Sequence, residues 1–234
     1  MSEPSLSIVF PVYNQADHLR AAVEQYEEAL SRLPHPYEII LVPNGCSDNS
    51  EEVCNALAAD YETVKVTPSE LAGWGRAVKH GLQAAEGDIL CYSNLARTTA
   101  EELTLILLYA VAFPDTVVKA NRKIRESLVR RLGSLIYNLQ CRMLFDLAYW
   151  DINGTPKVFP RSFERLLSLT RDDDLIDLEF NAICRQEEYR MLEVPIFSTS
   201  RRSGKSTTSY GTAVRLYWGA YKMRSEMKGE GNRG

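Results

Sequence analysis

The sequence predicts an α/β protein, a single continuous domain built on a mostly parallel sheet flanked by helices. Two observations carry this reading. Over the first half of the chain, short apolar runs alternate with amphipathic helical stretches, the order that right-handed crossovers between parallel strands require. The segments that follow three of those runs, "PVYN", "VPNGCSDNS" and "YSNLAR", are polar and turn-forming. Parallel sheets hold their ligands at such carboxyl ends.

The elements follow in order. "LSIVFPV" reads as a strand, and "DHLRAAVEQYEEALSRL" as a helix in which Leu19, Val23, Tyr26, Leu30 and Leu33 recur at helical spacing. "YEIILVP" is a second strand, and "SDNSEEVCNALAA" a helix capped by Ser50 or Asp48. "ETVKVT" and "GRAVKHGLQAA" repeat the pair. "DILCYS" is the fourth strand, and its helix starts at Thr98 or Thr99, with Glu102 placed three residues after Thr99 for a capping box. Beyond these, "TVVKAN" leads into "RKIRESLVRRLGSLIYNLQCRMLF", a long helical pattern. There Leu128, Leu132, Leu135, Leu139 and Met143 form one stripe, and Arg125, Arg130, Arg131 and Arg142 add positive charge. No repeat or low-complexity linker separates the halves. The expected organisation is one domain over 1–225, with halves 1–115 and 116–225, and a disordered tail over 226–234, where "KGEGNRG" has no apolar content to pack.

Composition narrows the function classes. Of 234 residues, 45% are hydrophobic and 25% charged, which is ordinary for a globular protein. The five cysteines contain no Cys-x-x-Cys pair, and the three histidines lack metal-ligand spacing, so a reduced protein without a His-based metal site is expected. Neither a signal peptide nor an apolar run of about 18 residues is read. The expected location is cytoplasmic, or peripheral at the inner face of a membrane, and no nucleic-acid partner is expected.

Five blocks, "SIVFPVYNQADHL", "YEIILVPNGCSDNS", "GWGRAVKHGLQAAEGDIL", "DINGTPKVFPRSFERLL" and "DLIDLEFNAICRQEEYRMLEVPI", resemble in this order the successive blocks of family 2 glycosyltransferases, in particular the dolichyl-phosphate mannose synthase branch. The resemblance implies a GT-A fold, whose Rossmann-like nucleotide-binding half joins an acceptor half without a break. It also implies transfer of a sugar from a nucleotide-sugar donor, commonly to a polyprenyl phosphate. Carried over position by position, it puts Pro11, Tyr13, Asn14, Asn44, Gly73, Gly75, Asn94, Arg202 and Lys205 at the donor, Arg122, Arg130, Arg131 and Ser134 at an acceptor phosphate, and Asp177 and Glu179 in the catalytic Asp-x-Glu. Asp151 opens the fourth block, and Lys157 is expected either to orient it or to close a surface pair worth little.

The departures are as informative. Pro43 and Asn44 replace the paired aspartates after the second strand, where Asn44 is expected to reach a base through its amide. Asn94, Leu95 and Ala96 replace Asp-x-Asp. Ala is no metal ligand, so the usual magnesium or manganese site lacks its carboxylates. Arg97, next to the emptied motif, and the basic loop with Arg201, Arg202 and Lys205 offer cations in the metal's place. The run Asp172 to Asp174 reads as a turn and helix cap. Arg97 is accordingly the third catalytic candidate, with no metal assigned. Two classes stay open: an active transferase with weak or no metal dependence, and a catalytically inactive relative that binds a nucleotide sugar or a partner. A membrane-protein partner and a homo-oligomer are both compatible with the sequence.

Overall fold

The computed structural model describes residues 3–123, 128–197 and 210–231. Along them the chain forms β1 (Leu6–Val12), α1 (Leu19–Leu30), β2 (Tyr37–Pro43), α2 (Ser50–Asp60), β3 (Val64–Val66), α3 (Trp74–Ala84), β4 (Ile89–Tyr92), α4 (Ala100–Ala112), β5 (Val117–Arg122), α5 (Leu128–Phe145), β6 (Lys157–Pro160), α6 (Ile176–Gln186), β7 (Met191–Ile196) and α7 (Tyr210–Gly231). The capping box of α4 is formed in both directions: the Thr99 side chain accepts from the Glu102 N–H, and the Glu102 carboxylate accepts from the Thr99 N–H. Helix α7 continues through Gly231, into the stretch whose composition suggests a tail.

One seven-stranded sheet runs in the order β3-β2-β1-β4-β6-β5-β7. Its pairs are parallel except that β6 lies antiparallel to both β4 and β5. Apolar layers cover both faces. Leu6, Ile8 and Phe10 of β1 pack with Leu19, Val23 and Tyr26 of α1 and Leu103 and Ile106 of α4 on one face. Val9, Ile40 and Val42 pack with Val78 and Leu82 of α3 and Ile176 and Phe180 of α6 on the other. A third cluster joins α5, α6 and α7 through Tyr137, Cys141, Phe145, Leu178, Ala220 and Met223. The stripe read on α5 is therefore not its core face: Leu132, Leu135, Leu139 and Met143 are 49% to 77% exposed. The helix turns Tyr137, Cys141 and Phe145 inward instead.

Candidate active site

The turns after β1 and β2 direct most of their polar groups at each other. Asn14, in the left-handed region at φ 50, accepts through Oδ1 from the N–H groups of Ser47 at 2.8 Å and Asp48 at 3.4 Å. Asn44 is buried; its Nδ2 donates to Val12 O at 2.8 Å and its Oδ1 accepts from Gly73 N at 3.1 Å. One amide thus stitches β1, β2 and the entry to α3 together, which corrects the expectation that Asn44 reads a base. Nor is the Gly73 to Gly75 turn open: a Cβ on Gly75 would lie 2.4 Å from Arg171 O and 2.7 Å from Asp173 O. The glycine permits close backbone approach rather than contact with a ligand. Pro11 is buried inside β1, whereas Tyr13, just beyond the strand, is 43% exposed. Arg201, Arg202 and Lys205 lie outside the described residues.

The turn after β4 closes on itself in the same way. Asn94 Oδ1 accepts from Ala96 N at 3.1 Å, and its backbone carbonyl accepts from the N–H groups of Arg97 and Thr98, both at 3.0 Å. Leu95 and Ala96 are fully buried. These residues do not fit a divalent cation, because the side-chain oxygen of Asn94 is taken by its own turn and Ala96 brings no donor. The acidic run offers no replacement pair. Asp172 is bridged by Lys79 at 2.8 Å and Arg76 at 2.9 Å, which hold its carboxyl below the usual range, and Asp173 accepts from Leu175 N. Arg97 is half-buried beside the α4 cap and is already engaged.

The start of α6 separates the two acidic candidates, since residues two apart on a helix do not face the same way. Glu179 turns onto the preceding loop, where its carboxylate accepts from Thr170 N at 2.9 Å, Thr170 Oγ1 at 2.6 Å and Arg171 N at 2.9 Å. It clamps the segment that covers Gly75. Asp177 points across the sheet, and its Oδ1 accepts from Tyr92 OH at 3.0 Å and from the Lys157 ammonium. Lys157 is fully buried; burial pushes its pKa down to about 8, with Asp177 pulling the other way. Burial, followed by the Asp177 charge, raises the Tyr92 hydroxyl well above its ordinary range.

The residues expected at an acceptor lie beyond β5. Arg122 forks onto Asp151, with Nε to Oδ2 at 2.7 Å and Nη2 to Oδ1 at 2.8 Å, and Nη2 also donates to Asn153 O. Burial opposes the guanidinium charge, but Asp151 more than restores it, and the net shift is upward. The orienting partner of Asp151 is therefore Arg122, not Lys157 as the sequence suggests. Arg122 and Ser134 are brought together around a cavity of about 300 Å³, with Asn121, Lys123, Leu135, Asn138, Trp150 and Asp151 completing its wall. Arg130 and Arg131 fall in the first turn of α5, where side chains lie outside the described residues.

Sequence reasoning missed Tyr92, Lys119, Trp150 and Glu193. A signal existed for Lys119: in "TVVKAN" it interrupts an otherwise apolar strand, as Lys157, already read from the sequence, does in "PKVFP", and a lysine seated on a buried strand face demands a partner.

Comparisons with known proteins agree with the fold. Residues 7–95 match the family model described as glycosyl transferase family 2. An undecaprenyl-phosphate 4-deoxy-4-formamido-L-arabinose transferase of Pectobacterium carotovorum is 27% identical over 220 residues, covering 92% of this chain and 65% of that protein. The protein of the same name from Yersinia pestis is 27% identical over 226 residues, covering 93% of this chain and 67% of its own length. The chain thus spans about two thirds of the length of these curated relatives. Among solved structures, glucosyl-3-phosphoglycerate synthase from Mycobacterium tuberculosis, in complex with Mn2+, uridine-diphosphate and glucosyl-3-phosphoglycerate, superposes with a TM-score of 0.73 at 15% identity, over 94% of this chain and 80% of that one. The resemblance to family 2 glycosyltransferases read from the sequence is therefore shown, by the family match over residues 7–95 and by a GT-A fold along the described chain.

Proposed function

We propose that this chain transfers a sugar from a nucleotide-sugar donor, bound at the carboxyl ends of β1, β2 and β4, to a polyprenyl phosphate whose phosphate enters the cavity beside Arg122, Lys123 and Ser134. One observation carries the acceptor assignment: that cavity opens at the foot of an apolar outer surface. Leu135 lines it, and Leu132, Ile136, Leu139 and Met143 continue along the exposed face of α5; α7, which packs on α5, also exposes Trp218 and Tyr221. An amphipathic surface with Trp and Tyr suits the interface of a bilayer, so the chain works peripherally at the membrane face where the lipid phosphate lies. A phosphate monoester has its second pKa near 6 and is already largely ionised at neutral pH, so it needs cations rather than a general base. Asp177 then orients the donor sugar. Arg97, with Arg202 and Lys205, offsets charge on the leaving diphosphate, which makes metal dependence weak or absent. Arg130 and Arg131 are assigned to the acceptor phosphate.

The test is transfer from a panel of uridine and guanosine diphosphate sugars to undecaprenyl phosphate in vesicles, with and without a strong chelator. Product that survives the chelator supports the full reading. Donor binding without transfer or hydrolysis would instead establish an inactive binding protein, and product lost with the chelator would return a metal to the site.

A further inference from the structure

Four strands contribute one polar residue each to a single line across the sheet. Tyr92 of β4 is in register with Lys157 of β6, Lys157 with Lys119 of β5, and Lys119 with Glu193 of β7. Residues in register share a face, so the four side chains lie side by side inside the protein. Both lysines are fully buried. Like charges opposite each other on neighbouring strands repel, and each ammonium is held by a carboxylate on its outer side: Asp177 takes Lys157, and Glu193 takes Lys119 at 2.8 Å. The ends of the line reach the two halves of the site. At one end is Asp177. At the other, Lys119 donates to the carbonyls of Trp150 and Asp151, and Glu193 accepts from Trp150 N at 3.0 Å, which fixes the segment that carries Asp151 and, through it, Arg122.

We propose that the line Tyr92, Lys157, Lys119 and Glu193 is an electrostatically coupled positioning unit that holds Asp177 and the Trp150 to Asp151 segment in fixed relation. The inference rests on the preceding functional reading only for the roles of Asp177 and the cavity; the coupling itself belongs to the fold. Lys157 faces Tyr92 on β4, Lys119 on β5, Asp177 and Cys184 on α6, and Asp151 from the loop before β6, and it is the sensor of the unit because it lies between the two ends of the line and burial pushes its pKa down to about 8. Removing Glu193, which touches Lys119 and not Lys157, leaves the Lys119 charge uncompensated and pushes the Lys157 midpoint down. Removing the Lys119 charge pushes it up.

The experiment is an NMR pH titration of the protein carrying ¹³C-labelled lysine, comparing wild type with Glu193→Gln and Lys119→Met, the Lys157 signal being identified by its loss in Lys157→Arg. The expected result is midpoints displaced in opposite directions, each by about half a pH unit or more. Simple structural loosening admits water and moves both variants upward, toward ordinary lysine. Movement of the Glu193→Gln midpoint upward, or no movement, overturns the proposal, and this isosteric variant decides alone if Lys119→Met does not fold. In turnover, the alkaline limb of kcat/KM follows the same two directions; a limb that stays fixed while the NMR midpoints move overturns the positioning role. A wild type that turns over no donor removes the transferase reading, while the NMR midpoints still decide whether the unit is coupled.

Discussion

Helices α1 and α5 carry apolar stripes of the same helical spacing and meet opposite fates. In α1, Leu19, Val23, Tyr26 and Leu30 are fully buried against the sheet. In α5, Leu132 is 58% exposed, Leu139 51% and Met143 77%. Connectivity explains the first case, because a crossover between the parallel strands β1 and β2 must lie on the sheet they share. Helix α5 precedes an antiparallel strand and packs instead on α6 and α7 with a different face. Periodicity reveals that a face seeks apolar company; it does not say that the company belongs to the same chain.

The largest expected effect tests the buried side of that contrast. Val23→Asp places a charge without a partner in the dry layer under α1, and stability should fall by about 3 to 5 kcal/mol in a thermal or denaturant melt. Leu139→Asp should leave the same melt within about 0.5 kcal/mol of wild type. Equal losses would mean that the α5 stripe is structural after all. Asp177 and Glu179 are both buried and engaged, but on different segments: Asp177 by Lys157 and Tyr92 on the sheet, Glu179 by the loop at Thr170. Asp177→Asn should lower turnover by about 100-fold to 1,000-fold, while Glu179→Gln, acting through the loop at Thr170, should change turnover less than about 10-fold and appear mainly as lost stability. Single-turnover kinetics beside melting curves would expose a reversed order.

Smaller effects sharpen the outer surface. Leu135→Asp combined with Leu139→Asp should weaken partition onto vesicles containing polyprenyl phosphate by about 10-fold or more, since each leucine forfeits its apolar burial there. Sedimentation with the vesicles measures this directly, and unchanged partition would detach α5 from the membrane. Ser134→Ala removes one neutral hydroxyl from the cavity wall and should cost about 0.5 to 1.5 kcal/mol in acceptor KM, with kcat unaltered. An effect on kcat alone would place Ser134 elsewhere in the reaction.

The first half of the chain is legible because its elements are local. Strands of apolar residues, helices of regular spacing and the Thr99 to Glu102 cap can each be read in a window of a dozen residues. Strands β6 and β7 escape such a window. Strand β6 has only four residues and begins with a lysine, and its partner on one side is the distant β4, where Ile89 faces Pro160 and Tyr92 faces Lys157. Site residue types are largely visible, but their commitments are not. Nothing near Asn44 in the sequence announces that Gly73 claims its carbonyl oxygen, and nothing near Asp177 names Lys157 and Tyr92. Such partners are set by how turns and helices settle on the sheet, which the sequence encodes only through the whole fold.

Strand β6 also decides what can exist as a separate piece. The segment matched by the family model ends at residue 95, before β6 has been made, so that segment alone leaves β4 with one bare edge of unpaired N–H and C=O groups. Bare edges recruit other strands, and non-local pairing is slow to form. During synthesis the nascent sheet must therefore wait for residues 157–160 before β4 gains its second neighbour, and until then it is exposed to the wrong partner. The one continuous domain read in the sequence thus depends on a strand that arrives late and runs backwards.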